Sequence, residues 1–235
     1  MHKLVLIRHG ESVWNKKNLF NGWVDTKLSF RGKREAKKAA KLLKDFRFDI
    51  AFTSELKRAI DTLKIVAKGV PFKKSWKLNE RHYGDLQGKN KKKIREKYGK
   101  ETFFKWRRSY EVKPPPIQKN NPYYKETEPR TESLKDTYER VVPYFQKEIA
   151  PEIQKGKKVL ISAHGSTFRA LSKYLGNISD KDIAFLNIPT GIPLVYEFDD
   201  NLKVLRHYYL GDKKEVGKAI KEVRDQGSED ALLKV

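Results

Sequence analysis

Apolar positions in this chain gather into short unbroken runs, each ending on a polar tip followed by a helix-like period. The first run, "LVLI" at 4–7, leads into Arg8, His9 and Gly10. The second lies within "FDIAFTSELKRAIDTLKIV" and predicts a strand over 50–52, then a helix that carries Arg58, with Ser54 as its cap. The third, "KVLISAHGSTFRALSKYL", predicts a strand over 159–161 that delivers His164 and Gly165 to the start of another helix. Unbroken runs of this length suit strands buried on both faces, as in parallel sheets with helical crossovers. Between the first two, Ala36, Ala39, Ala40, Leu43 and Phe46 recur near helical spacing with Lys and Arg opposite, so 33–46 reads as an amphipathic helix covering the sheet. Near the end, "LVYEFDDNLKVLRHYYL" reads as a hairpin turning on Asp and Asn. The expected fold is α/β: three layers, a mostly parallel central sheet with helices on both faces, and one antiparallel edge hairpin.

The stretch from about 73 to 135 breaks this rhythm. It holds the lysine cluster "GKNKKKIREKYGK", the aromatic-basic "FFKWRRSY" and the prolines of "KPPPIQKNNPYY". Three consecutive prolines cannot sit inside a helix and predict an extended surface loop. This region is expected to be an inserted lid with some helix, within a single domain over 1–212. Residues 213–235 are polar, with weak helical spacing and a frayed end near 227–230, and are expected to form a C-terminal tail.

Composition narrows the class. The 235 residues suffice for a substantial core, and no run of about 18 apolar residues exists to span a bilayer. The N-terminus lacks the pattern of a secretion signal, and no cysteine is present, which removes disulfides and thiolate chemistry. A cytoplasmic protein is expected. The formal charge is +22, and it is uneven: residues 1–120 carry 33 basic and 12 acidic groups, the remainder 19 and 18. Such asymmetry fits a nucleic-acid partner, a pocket for small anions, or lysine filling helix faces, and charge alone does not choose among them.

The strand tips make the choice sharper. In an open α/β sheet, ligands bind outside the carboxyl ends of the strands. The predicted topology brings Arg8, His9 and His164 to that edge, with Arg58 beginning the helix after the second strand. Each alone is unremarkable, but four arriving by one strand–tip–helix plan define a site. Two guanidiniums match the oxygens of a phosphoryl group, and an imidazole beside them can act as nucleophile at neutral pH. A second imidazole or the amides of a helix N-terminus would stabilise charge on the phosphoryl oxygens. The five histidines show no metal-ligand spacing, so no metal is expected. The segment "GDLQGKN" falls one residue short of a phosphate-binding P-loop and has no hydroxyl residue after its lysine.

"RHGES", with "AHGS" far downstream, resembles the histidine phosphatase superfamily. More fully, "LIRHGESVWNKKNLFNGWVDTKLSFRG", "TSELKRAIDT", "KLNERHYGDLQGKNK", "WRRSY", "AHGSTFRAL" and "NIPTGIPLVYEF" are similar, in order, to segments of the cofactor-dependent phosphoglycerate mutase family over roughly 3–212. The resemblance implies a ping-pong phosphoryl transfer through His9, primed by 2,3-bisphosphoglycerate, that interconverts 3- and 2-phosphoglycerate without a metal. It assigns Glu80 as general acid and base, with a carboxyl raised toward neutrality by a shielded pocket. Arg8, Arg58 and His164 would clamp the transferring group, with Asn15, Asn21 and Gly22 lining its pocket. Ser12, Gly165 and Ser166 would add hydrogen bonds. Tyr83, Lys91, Arg107 and Arg108 would hold the carboxylate and second phosphate. Glu11 would orient neighbours rather than bind. Three departures stand out: Ser166 replaces the family's Asn, Asn21-Gly22-Trp23 replaces its "TGW", and the loop after the prolines is short.

Two rival readings differ in class. A histidine phosphatase of broader specificity would pass the phosphoryl group to water. A nucleic-acid-binding protein would use the basic excess with Phe103, Phe104 and Trp106, but packing is the commoner use of aromatics so close together in a helix. The family implies a homodimer or homotetramer, phosphoglycerates as small-molecule partners, and no membrane or nucleic-acid partner.

Overall fold

The computed structural model describes residues 1–227. In chain order the elements are β1 (His2–Arg8), α1 (Val13–Lys16), α2 (Phe30–Leu42), β2 (Ile50–Thr53), α3 (Lys57–Val66), β3 (Phe72–Lys74), α4 (Lys91–Arg108), α5 (Leu134–Tyr144), α6 (Ala150–Gln154), β4 (Val159–Ala163), α7 (Gly165–Leu175), β5 (Pro193–Phe198), β6 (Val204–Tyr209) and α8 (Lys213–Arg224). The six strands form one sheet in the order β3-β2-β4-β1-β5-β6. The β1, β2, β3 and β4 pairings are parallel, while β5 runs antiparallel to β1 and to β6. The sheet is therefore mixed, with the hairpin expected at one edge and the mostly parallel part beside it.

Alternation along the strands explains the layers. Leu4, Leu6, Phe52 and Ile161 face one way and pack with Val141, Phe145, Ile149 and Phe168 from the α5–α7 side. Val5, Ile7, Ala51 and Leu160 face the other way, against Ala36, Ala39 and Leu43 of α2 and Leu63 of α3. The unbroken apolar runs thus mark strands covered on both faces. A third cluster of Phe20, Leu86, Ile94 and Phe103 supports the excursion, whose main helical stretch is α4, kinked at Gly99.

Three details depart from the sequence-based expectation. The helix read over 33–46 begins earlier, because Ser29 caps it by accepting from the Gly32 amide, and it ends at Leu42. Ser54 does not cap α3, whose cap position is Leu56 with no side-chain hydrogen bond. A sixth strand, β3, begins the excursion, and its three exposed residues carry no apolar pattern. In the 213–235 segment, α8 is a capped helix started by the Asp212 side chain. The frayed end lies partly outside the described residues.

Register sets the site. Arg8 pairs with Ala163 at the ends of β1 and β4, and the His9 amide donates to the Ala163 carbonyl at 3.0 Å. His9 and His164, one residue beyond each strand, consequently meet with ring centroids 5.0 Å apart and planes at 61°. Gly10 lets this tip lie on the first turn of α2: a Cβ there would come within 2.3 Å of the Gly32 carbonyl oxygen.

Candidate active site

The imidazole of His9 is buried and its tautomer follows from its partners. Nδ1 lies 2.7 Å from the Gly10 carbonyl oxygen, which can only accept, so Nδ1 carries the proton and Nε2 the lone pair. Arg58 Nε donates to that Nε2 at 3.3 Å. Burial, then the Arg58 and Arg8 charges, hold His9 well below the usual imidazole range. At neutral pH it is an uncharged nitrogen nucleophile among cations.

Arg58 is fully buried at the start of α3, with Nη1 donating to the Val24 carbonyl (2.9 Å) and Nη2 to Gly22 (2.7 Å). Gly22 thus contributes its carbonyl rather than lining the cavity, and it adopts φ of 55° where a Cβ would strike the Gln87 side chain. Arg8 donates through Nη1 to Ile188 at 2.6 Å, and its buried Nε has no partner among the described residues. Ser12 also stays behind the wall: its hydroxyl lies 2.9 Å from Asn15 Oδ1 and 3.0 Å from Asn21 Oδ1 and fixes those two amides, which do line the cavity. Glu11 accepts from the Ser29 hydroxyl at 2.6 Å, an orienting contact at the head of α2.

His164 is fully buried at the cap of α7, beside His9. Its Nε2 lies 2.7 Å from Ser54 Oγ, which also accepts the Leu56 amide at 3.2 Å. Nδ1 has no partner among the described residues, so it is the ring nitrogen left to meet a bound group. Burial and the neighbouring Arg58 keep this ring neutral too. Ser54 was legible only as a cap, because the same hydroxyl serves either role.

Glu80 reaches the cavity from the irregular segment after Leu78. One carboxylate oxygen, Oε1, accepts the Arg81 amide at 2.8 Å and the Ser166 amide at 3.1 Å. The expectation of a raised carboxyl fails. Burial pushes it up, but the Arg81 amide, the Ser166 side chain and the Arg8 and Arg58 charges outweigh burial and hold it below the usual carboxylate range. Arg81 does not pair with it; that guanidinium donates instead to the Trp106 and Arg107 carbonyls, each at 2.9 Å. Ser166 supplies its backbone N–H at the α7 N-terminus, and its side chain also acts on Glu80 and on Tyr83. Gly165 opens α7 with its Cα facing the Arg8 guanidinium, 3.4 Å from where a Cβ would stand.

The far wall is cationic. Lys91, Arg107 and Arg108 all line the cavity, and so does Tyr83, with the Arg81 guanidinium 4.6 Å from its ring centroid. Arg108 is anchored on the Ala184 and Leu186 carbonyls at 2.8 and 2.5 Å. Burial pushes Lys91 well below its ordinary value, with Arg107 and Arg8 adding to the effect, and pushes Arg107 down to about 10. Sequence reading missed several contributors. Arg169 lines the cavity one helical turn after Gly165, a spacing that would have revealed it, and it braces the Arg108 carbonyl at 2.5 Å. Gln226, just beyond α8, carried no signal. Its Oε1 accepts from Lys91 Nζ at 2.9 Å and Arg107 Nη2 at 3.3 Å, and Arg107 also donates to the Val223 carbonyl at the C-terminal end of α8.

The cavity therefore gathers six cationic side chains, one carboxylate and one neutral imidazole nucleophile. It retains about 60 Å³ of free room, enough for a few waters, with Val223 and Gln226 forming part of its wall. Such a site suits a compact ligand with several negative charges, and nucleophilic attack by His9 on a phosphoryl centre held by Arg8 and Arg58 is the chemistry it favours. Among the described residues no cluster of three or more His, Asp or Glu is arranged to hold a metal, and no helix is long and apolar enough to cross a membrane.

Comparison with known proteins places the chain in a family. The family model described as "Histidine phosphatase superfamily (branch 1)" matches residues 4–210. Two curated relatives, the 2,3-bisphosphoglycerate-dependent phosphoglycerate mutases of Borreliella afzelii (strain PKo) and Borreliella burgdorferi (strain ZS7), are each 51% identical over 245 residues, spanning 97% of this chain and 99% of the relative. Among solved structures, a mycobacterial glucosyl-3-phosphoglycerate phosphatase complexed with VO3 superposes with a TM-score of 0.72 at 24% identity, covering 89% of this chain and 97% of that one. A phosphoserine phosphatase from Entamoeba histolytica in complex with 3-phosphoglyceric acid gives 0.68 at 18% identity, covering 91% and 98%. At those identities the structures speak for the fold alone.

Proposed function

The chain belongs to the histidine phosphatase superfamily, and within it we propose that it interconverts 3-phosphoglycerate and 2-phosphoglycerate by ping-pong transfer through a phosphohistidine at His9. The observation that carries this reading is the pairing of neutral His9 with a single ionised carboxylate, Glu80, inside a cavity walled by six cations. The curated mutases at 51% identity over almost the whole chain support it. The excess of cations fits 2,3-bisphosphoglycerate as primer, with Arg8 and Arg58 toward one phosphate and Lys91, Arg107, Arg108 and Tyr83 toward the carboxylate and the other. No metal is needed.

With His9 phosphorylated on Nε2, Glu80 removes the proton of the substrate's free hydroxyl as that oxygen attacks phosphorus. The N–P bond breaks and its electron pair returns to Nε2. His9 then attacks the other phosphoryl group, that group's ester P–O bond breaks, and Glu80 returns the proton to the departing oxygen. The carboxylate begins this cycle as a base, which suits its depressed resting value. Gly10 accepts from Nδ1–H throughout, holding the ring's tautomer. Arg8 and Arg58 neutralise the transferring oxygens and His164, with its proton on Nδ1, donates to them, while Asn15 and Asn21, set by Ser12, add donors.

The catalytic unit is 1–212, with the 213–235 segment contributing the wall at Val223 and Gln226. A homodimer or homotetramer in the cytoplasm completes the proposal. The open edge of β3, with Phe72 and Trp76 38% and 45% exposed, is the surface that favours self-association. Turnover of 3-phosphoglycerate with and without trace 2,3-bisphosphoglycerate tests the activity. Primer-dependent formation of 2-phosphoglycerate supports the mutase, and prompt release of inorganic phosphate instead would make the protein a phosphatase.

A further inference from the structure

Glu80 stands on a segment with no strand or helix of its own, yet it must hold a carboxylate steadily against a reacting oxygen. Its backbone therefore has to be fixed from outside. The carbonyls of Lys77, Asn79 and Glu80 all accept from one side chain, Arg140 of α5, at 2.8, 3.0 and 3.0 Å. The same guanidinium forks onto Glu132, Nε to Oε1 at 2.7 Å and Nη2 to Oε2 at 2.9 Å. Five contacts match the five N–H donors of an arginine, so the group is saturated. Glu132 closes the loop from the other side: its Oε2 accepts the His82 amide at 2.8 Å, and its own amide donates to the His82 carbonyl at 2.9 Å. Both side chains are 7% exposed, and Arg140 does not line the cavity.

We propose that the buried Arg140–Glu132 pair is a positioning device that grips the main chain on both sides of Glu80 and fixes where its carboxylate meets the reacting oxygen. A buried ion pair is a poor source of stability, because desolvation offsets most of its attraction. This pair is used differently, since three of the five arginine donors read the carbonyls of the Glu80 segment. Lysine keeps the charge but offers a compact ammonium that cannot span three carbonyls and a carboxylate fork. The inference rests on Glu80 being the proton-transfer group, and its test separates that premise from the clamp.

Arg140→Lys is compared with wild type and Glu80→Gln in two reactions. One is phosphoglycerate turnover, where the attacking or leaving oxygen exchanges a proton. The other is the single-turnover burst of nitrophenolate as p-nitrophenyl phosphate phosphorylates His9, where the leaving group departs without a proton. The expected result is a roughly 10²-fold loss in the first reaction, the size associated with misplacement by about 1 Å, with the burst rate held within about threefold. Glu132→Gln keeps the carbonyl contacts and should lose no more than about tenfold in the first reaction. Equal losses in both reactions, or no loss in the first, would overturn the clamp. The Glu80 titration, followed by ¹³C-carboxyl NMR with Glu80→Gln as the assignment, judges the clamp without any activity. Arg140→Lys should move that titration upward as the carboxylate loses the aim of the Arg81 amide and of Ser166. An unmoved titration overturns the clamp even if the wild type proves not to turn over phosphoglycerate, a result that would overturn the premise.

Discussion

Arg58 Nε donates to His9 Nε2 across 3.3 Å, so the atom proposed to carry the phosphoryl group is already addressed by the cation that would receive its oxygens. That contact meets the lone pair, and burial together with the Arg58 and Arg8 charges keeps the ring neutral. Because the remaining Arg58 nitrogens are tied to Val24 and Gly22, lysine cannot replace the geometry even though it keeps the charge. Arg58→Lys is expected to lower kcat by about 10² to 10³-fold, the range for loss of one preorganised charge-stabilising donor. The expected KM change is small by comparison. Steady-state kinetics on 3-phosphoglycerate check this, and a variant within threefold of wild type in kcat would remove Arg58 from the transfer step.

Three buried histidines make the fold sensitive to acid. Burial pushes His9 and His164 well below the usual range and takes His82 down to about 4. A folded value below the unfolded one means that the unfolded chain binds protons first as pH falls. Stability should thus be full above about pH 6.5 and decline below it, through about pH 4 for His82 and further for the other two. Each histidine contributes a slope of at most about 1.4 kcal/mol per pH unit. Urea denaturation of the ligand-free protein at pH 7, 6 and 5 measures the sum, and His82→Gln should remove close to a third of it. A flat profile over that interval would show that these rings are not held neutral.

Crowding among the cations predicts a proton linkage on binding. Lys91 is pushed well below its usual value by burial and by Arg107 and Arg8, and a bound polyanion reverses the charge part of that push. Across the pH range in which Lys91 titrates, ligand binding should accordingly take up protons. Titration calorimetry with 2,3-bisphosphoglycerate in buffers of different ionisation enthalpy reads the uptake, which should shrink in Lys91→Met. Zero uptake by the wild type across the alkaline range would mean that the bound polyanion does not act on Lys91.

How far the sequence reached depended on which force set each feature. Long apolar runs decided β1, β2 and β4, since a strand covered on both faces has no polar alternation to confuse its reading, and their tips named Arg8, His9 and His164. The exposed β3 was invisible because Phe72–Lys74 is a short edge strand held mainly by its ladder to β2. Ser54 offered two uses to one hydroxyl, and only the tertiary fold reveals that it serves His164. Glu80 was found, but not the sign of its shift. That sign depends on the Arg81 amide and on Ser166, which belongs to a segment 86 residues away. Gln226 reaches Lys91 across 135 residues, a pairing that local pattern does not encode.

The central claim is that His9 Nε2 carries the phosphoryl group. The direct measurement is brief exposure of wild type and His9→Ala to ³²P-labelled 2,3-bisphosphoglycerate, followed by denaturation and partition of the label by acid and alkali. Wild type should hold about one label per chain, stable in alkali and lost in acid, as a phosphoramidate requires, and His9→Ala should hold none. Label on the folded His9→Ala protein, or an acid-stable label on the wild type, would contradict the account.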